Sequence, residues 1–197
     1  MTESVERPTS DSIASLPGRL VVLSGPSGVG KTVICDVLIE RAGCTRVITA
    51  TSRAPRDGEQ DGVDYYFRDR AGFESDIRSG RFLEHAEVHG NLYGTPLDPV
   101  REQLSRGETA LLNIDVQGAV ALIEHGIPAC YVFIAPPSLE ELEARLRKRS
   151  SDKDEQIRVR LANAREELAQ QHHYDHVIVN DNLDRAVQEM IQLLARE

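Results

Sequence analysis

An α/β fold, a parallel sheet covered by helices, is predicted by three features of the sequence. Short apolar runs read as buried strands, helical patterns alternate with them, and a glycine-rich loop lies between the first run and the first helix. The chain has 197 residues, enough for one domain with a substantial core and for sub-domains that move within it.

In chain order, Met1 to about Gly18 is polar, contains two prolines and has no apolar periodicity, so it reads as a disordered tail. Leu20–Ser24 (LVVLS) is the first buried strand, followed by the glycine loop and a helix through about Arg41. Ala110–Ile114, Cys130–Ile134 and His176–Val179 are the later strand candidates. Between about Arg46 and Thr95 the composition shifts to arginines, glycines and aromatics (DYYF, RFLEHAEVHGNLYG), which predicts a small mixed sheet inserted in the main domain. Ser138 and Glu141 have capping-box spacing after Pro136–Pro137, with Leu139, Leu142 and Leu146 on one face of the helix that follows. A second helix is predicted from about Asp154 to Gln171, with Ile157, Leu161 and Leu168 as its apolar stripe. Ser150–Lys153, which has no apolar anchor, is a candidate hinge between the two.

Composition excludes several classes. A net charge of −9 argues against a general nucleic-acid binder, which needs a basic face to displace counterions. It still allows a few local arginines to hold a phosphate. No apolar run approaches a membrane span and the N-terminus has no signal-peptide core. Cys35, Cys44 and Cys130 show no CxxC spacing, which suits reduced thiols in a cytoplasmic protein. His172, His173 and His176 lack a carboxylate or cysteine partner at a recognised metal spacing and read as surface imidazoles; His85 and His89 lie in a strand pattern, where period-four spacing does not bring them together.

The loop Gly25-Pro26-Ser27-Gly28-Val29-Gly30-Lys31-Thr32 satisfies G-x-x-x-x-G-K-[ST] in full, between a predicted strand and a predicted helix as that motif requires. Glycines let successive N–H groups turn into one concavity that cradles phosphate oxygens. The following helix adds its positive end, and Lys31 places a cation near the β- and γ-phosphates. Thr32 offers a hydroxyl to Mg²⁺, in part through water. The motif establishes nucleotide binding and does not by itself name a reaction.

Arg53 and Arg56 flank Pro55 on one loop. Two guanidinium forks on a stiff loop suit a phosphate monoester, and Tyr65 has a hydroxyl for the same group; a solvated basic turn is the plainer alternative. Glu84 is a carboxylate in an apolar strand pattern. It reads either as a strand residue facing water or as a base reader, because a carboxylate accepts from both N1–H and the 2-amino group of guanine. Arg145 and Arg149 lie four apart on one helix and Arg160 on the next, either as a charged solvent face or aimed at phosphates. Asn180 is a strand-end asparagine or a base contact.

The loop GPSGVGKT, the block TSRAPRDGEQDGVDYYF, the stretch FLEHAEVHGNLYGT, the run NIDVQGA and the terminal VND occur in this order and together resemble guanylate kinases, from about Arg19 to the end. The resemblance implies a P-loop NTPase fold with a three-layer parallel-sheet core, an inserted small mixed-sheet GMP-binding region and a helical lid. By it, the core covers about 19–48, 96–137 and 170–197, the insert about 49–95 and the lid about 138–169. It implies transfer of the γ-phosphate of ATP, with Mg²⁺, to GMP and to dGMP. Arg53, Arg56, Tyr65 and Tyr93 would hold the GMP phosphate, and Thr49, Glu84, Thr95 and Asp115 would surround the guanine. Lys31, Arg53, Arg56, Arg145, Arg149 and Arg160 would neutralise the transferring group, and Asn180 would contact adenine.

Thr49 and Ser52 exchange hydroxyl residues relative to the family pattern, Ser150 stands where glycine is common, and Asn113 replaces an acid near the metal. Two other readings share the fold: a catalytically weak binding or scaffold domain, and a kinase of another small phosphorylated substrate. The intact loop speaks against the first and the full set Arg53, Arg56, Tyr65 and Glu84 against the second. Monomer and homo-oligomer both stay open.

Overall fold

The computed structural model describes residues 11–88, 90–149 and 154–196, without the side chains of Asp11, Ser12 and Arg149. A short helix α1 (Asp11–Ala14) precedes β1 (Arg19–Ser24), α2 (Lys31–Ala42), β2 (Cys44–Arg46), β3 (Ala50–Thr51) and β4 (Tyr66–Phe67). Then come α3 (Arg70–Arg78), β5 (Phe82–Val88), β6 (Asn91–Pro96), α4 (Leu97–Ser105), β7 (Thr109–Asn113), α5 (Val116–Glu124) and β8 (Cys130–Ala135). The chain ends with α6 (Leu139–Arg149), α7 (Asp154–Ala169), a 3₁₀ turn at Gln171–His173, β9 (His176–Val179) and α8 (Leu183–Leu194).

The main sheet has the order β2-β7-β1-β8-β9, with every neighbouring pair parallel. The inner strands β1, β7 and β8 are almost continuously apolar because both their faces are covered. Leu20 and Val22 of β1 pack toward α4 and α5, with Val100, Leu104, Ala119 and Leu122. Val21 and Leu23 pack the other way, against Ile34 and Leu38 of α2 and Val187 and Met190 of α8. This is the parallel-sheet α/β fold that the alternating pattern predicts.

The insert is a second sheet of order β4-β3-β6-β5, mixed as predicted: β3 pairs in parallel with β4, while β6 pairs antiparallel with β3 and β5. Its own core is small, with Ala50, Phe73, Phe82 and Leu92, and Phe73 stacks on Phe82 with centroids 4.5 Å apart. Phe73 comes from α3, a helix within the insert that the strand reading did not anticipate. Beyond the sheet, Leu142 and Leu146 of α6 pack on Ala164 and Leu161 of α7, and Ser138 accepts from the Glu141 N–H at 3.2 Å, as the capping-box spacing predicts.

One expectation is corrected. The tail reading runs to Gly18, yet Asp11–Ala14 is helical and Ile13 is 3 % exposed in the cluster that contains Leu20 and Leu104. The Gly18 N–H also donates to the Leu104 carbonyl at 2.8 Å. Two apolar residues, Ile13 and Leu16, suffice to dock this segment on a preformed core, and a pair is too few to show periodicity. Residues 1–10, His89 and the candidate hinge Ser150–Lys153 lie outside the described residues.

Ile13→Ala removes three buried carbons at this contact and is expected to destabilise the protein by about 2 kcal/mol, read as a lower urea midpoint at unchanged slope. An unchanged midpoint would mean that Ile13 contributes nothing to the core.

Candidate active site

Parallel strands end on the same side, so the loops after β1, β7, β8 and β9 share one edge of the sheet. At that edge lies a cleft of about 290 Å³. Gly25, Ser27, Lys31 and Thr32 line its floor, Thr49, Arg56, Tyr65, Glu84 and Tyr93 come from the insert, Asn113 and Asp115 from the end of β7, and Arg160 and Glu167 from α7. Residues predicted from four separate segments therefore meet in one place.

The loop turns tightly because Gly25 has φ 139° and its Cα faces the Ile134 backbone, where a Cβ would collide with the carbonyl. Lys31 folds back over the loop, and its Nζ donates to the carbonyls of Gly25 at 2.5 Å and Pro26 at 3.0 Å. Burial pulls the ammonium below its usual pKa, while Glu167 and Asp115 oppose that shift. Glu167 answers in the opposite direction: burial pushes its carboxyl up to about 7, and Lys31 and the Ser27 N–H hold it down.

Glu84 and Thr95 are cross-strand partners on β5 and β6. The register of that pair of strands shifts between Phe82 and Glu84, the kind of irregularity that re-aims a side chain. Thr95, fully buried, donates through Oγ1 to Glu84 Oε1 at 2.6 Å. Glu84 is only 8 % exposed, which excludes the reading of a strand residue facing water. Burial raises its pKa to about 8, Thr95 counters, and the charge of Asp115 adds to the rise. Asp115 itself caps α5, its Oδ1 accepting from the Gly118 N–H at 3.0 Å.

The two insert arginines part company. Arg56 lines the cleft. Arg53 does not present a free fork there: its guanidinium makes a two-pronged pair with Glu59 at 2.8 and 2.9 Å and lies over the rings of Tyr65 and Phe67 at 5.5 and 5.9 Å. With its side chain 14 % exposed, a guanidinium needs such a partner. Glu59 also accepts from the Arg56 N–H at 2.7 Å, and Arg53 holds the Glu59 carboxyl below its usual range. The loop is thus stiffened by Glu59 as well as by Pro55. Tyr65 meets Tyr93 edge-on at 6.2 Å.

On the far side of the glycine loop is a second cavity of about 240 Å³, bounded by Gly28, Val29, Gly30, Arg145, Asn180 and Leu183. Asn180 is buried, and its amide donates to the Val29 carbonyl at 2.8 Å. Arg145 donates to the Asn180 carbonyl at 2.9 Å and toward Val29 O at 3.5 Å, so it braces the loop against the end of β9. Arg149 closes α6, and its side chain lies outside the described residues.

Glu59, Glu167 and Gly118 were not singled out from the sequence. Glu167 had a usable signal: with Ile157, Arg160 and Ala164 it falls on one helical face, and Ile157 and Ala164 are buried. For a metal, Thr32, Asn113 and Asp115 offer oxygen donors in the cleft, the ligand type of a hard cation. Among the described residues no three His, Cys, Asp or Glu side chains group as a cage.

A family profile described as guanylate kinase matches residues 17–197. A guanylate kinase of Fusobacterium nucleatum is 46 % identical over 177 residues, 90 % of this chain and 96 % of that protein. One from Thermus thermophilus is 48 % identical over 181 residues, 91 % of this chain and 82 % of that protein. The crystal structure of guanylate kinase from Anaplasma phagocytophilum superposes with a TM-score of 0.75 at 34 % identity, covering 94 % of this chain and 88 % of that one. A match that takes in the glycine loop, the insert and helices α6 to α8 leaves no part of the cleft outside it: the chain belongs to the guanylate kinase family.

Proposed function

We propose that this protein transfers the γ-phosphate of ATP to GMP, and to dGMP, giving ADP and the nucleoside diphosphate. The observation that carries the reading is Glu84, a buried carboxylate held by Thr95 in the same cleft as Lys31 and Thr32. Guanine presents two adjacent donors, N1–H and the 2-amino group, to such an acceptor. Adenine has no matching pair, so it would leave Glu84 buried and unsatisfied.

Thr49 and Asp115 complete the base site, and Arg56, Tyr65 and Tyr93 hold the GMP phosphate. Arg53 acts from behind them, fixing the loop through Glu59 and resting on the Tyr65 ring. The loop amides from Gly25 to Thr32 take the ATP phosphates with Lys31, and the adenosine lies across the loop beside Arg145 and Asn180. Arg149 and Arg160 add positive charge from the lid helices.

The attacking oxygen belongs to a phosphate that is largely dianionic at neutral pH, so no strong base is required. The barrier lies in bringing two anions together and in holding charge as the phosphoryl group moves. Arg56 positions the acceptor, and Lys31 with the lid arginines neutralises the donor. Closure of α6 and α7 over both substrates excludes the water that would otherwise hydrolyse ATP. The metal would be Mg²⁺, which Thr32 would hold in part through water, with Asn113 near its hydration shell; it would supply positive charge against the donor phosphates. A cytoplasmic setting suits three buried, free cysteines, and no helix among the described residues is long and apolar enough to cross a membrane.

An ADP-release assay with ATP and Mg²⁺, offering GMP, dGMP, AMP, CMP and UMP in turn, tests the reaction: turnover is expected with the guanine nucleotides alone. Glu84→Gln is expected to raise KM for GMP by roughly 10- to 100-fold, the worth of a hydrogen bond to a charged group. Equal KM values would remove Glu84 from the base site.

The pH dependence has a definite sign. The folded protein raises the Glu84 pKa to about 8, so its neutral form prevails at pH 7, whereas guanine requires the ionised acceptor. GMP affinity should therefore rise about fivefold from pH 7 to pH 8 and about twofold more before it levels off near pH 9. Over that range the phosphate is already dianionic, and Glu84→Gln should show a flat profile. A wild-type profile equally flat would disprove the linkage.

Asn113→Asp restores a charge beside Thr32. It is expected to lower the Mg²⁺ concentration for half-maximal turnover several-fold. An unchanged value would place residue 113 outside the ion's hydration shell.

A further inference from the structure

Helix α5 contains a glycine that its own backbone does not require. Gly118 is the third residue of α5, and its φ lies outside the left-handed region. At such a position alanine is the more favourable residue by about 1 kcal/mol. A local preference overridden in this way calls for a reason elsewhere in the fold.

The reason lies across the gap to β5. A Cβ on Gly118 would stand 2.6 Å from Glu84 Oε2, 3.2 Å from Glu84 Cδ and 3.4 Å from Ile114 Cδ1. Its three nearest neighbours are all side-chain atoms, two of them in one carboxylate. That carboxylate has little freedom to withdraw. It is 8 % exposed, and its other oxygen takes the 2.6 Å bond from Thr95, itself fully buried. Gly118 meanwhile donates its N–H to Asp115 Oδ1 at 3.0 Å. Both acids of the proposed base site are thereby referenced to a single residue: Asp115 through the backbone N–H, Glu84 through the absent methyl.

We propose that Gly118 is a specificity-determining positioning residue, whose missing side chain sets the depth at which the Glu84 carboxylate sits and so its registry, with Asp115, on the donors of guanine. The inference rests on the reading of Glu84 as guanine acceptor. Gly118 is a positioning residue, since it acts through Glu84. A methyl at 118 forces the carboxylate to move by several tenths of an ångström, either toward the cleft or off Thr95. Misplacements of that scale cost recognition heavily, on the order of 100-fold per ångström.

The test is steady-state kinetics and thermal melting of Gly118→Ala, Glu84→Ala and the double variant. Gly118→Ala is expected to raise KM for GMP about tenfold, to leave KM for ATP unchanged and to narrow the preference for GMP over AMP. In the Glu84→Ala background the same methyl meets no carboxylate and should add no further loss. If Gly118→Ala leaves KM for GMP unchanged, or costs the same in both backgrounds, the inference is overturned. If Glu84→Ala itself leaves KM for GMP unchanged, it is the guanine-acceptor reading that fails, and this inference falls with it. Should Gly118→Ala fail to fold, a double variant that folds locates the conflict at Glu84, and one that also fails removes that support and overturns the proposal.

Discussion

A parallel strand cannot return on itself, and this constraint places the whole site. Each of β1, β7, β8 and β9 must be left through a loop at the same edge of the sheet and re-entered from the opposite side. The phosphate loop, the Asn113–Asp115 turn and Asn180 are therefore neighbours although they are separated by up to most of the chain. The insert leaves the sheet after β2 and returns through α4 to β7, so it hangs at that same edge. Burial of β1 on both faces makes the edge rigid, and the tight turn at Gly25 against Ile134 ties the loop to it.

Against this rigid floor the insert carries a carboxylate that is costly to bury. A carboxylate in an apolar strand, with only the hydroxyl and backbone N–H of Thr95 to offset its burial, is poorly stabilised as an anion, and burial raises the Glu84 pKa to about 8. Leu83 packs into the main core and Phe82 into that of the insert, so the strand is anchored on both sides of the carboxylate it presents. Thr95 holds one oxygen, and the gap at Gly118 accommodates the other. In the proposed function that cost becomes selectivity, since a ligand with two donors satisfies the acceptor and one without them does not.

Much of this was legible in the sequence, and the remainder was hidden for identifiable reasons. The loop from Gly25 to Thr32 is written in consecutive residues, and the strand patterns are local, so both could be read. The Arg53–Glu59 pair spans only six residues, but nothing in a polar loop says which of its several acids turns inward. Ile13 docks on a core it cannot announce by periodicity. Helix α3 has nine residues and only Phe73 and Ile77 as core anchors, too short an amphipathic pattern to separate it from the polar loops around it. Gly118 has no local signal, because what distinguishes it is a distance to a residue 34 positions earlier.

The charge distribution explains how a protein of net charge −9 can take two polyanions. Two of the cations at or behind the cleft are already engaged by acids of the protein itself. Arg53 is paired with Glu59, and Lys31 lies in the field of Glu167 and Asp115. A phosphate entering the cradle competes with Glu167 for the same ammonium and the same Ser27 N–H. Binding is then an exchange of an internal carboxylate for phosphate at a fixed set of donors. Such an exchange depends on local geometry more than on a long-range field, because the loop amides and Lys31 act over distances shorter than the screening length of about 8 Å in physiological salt.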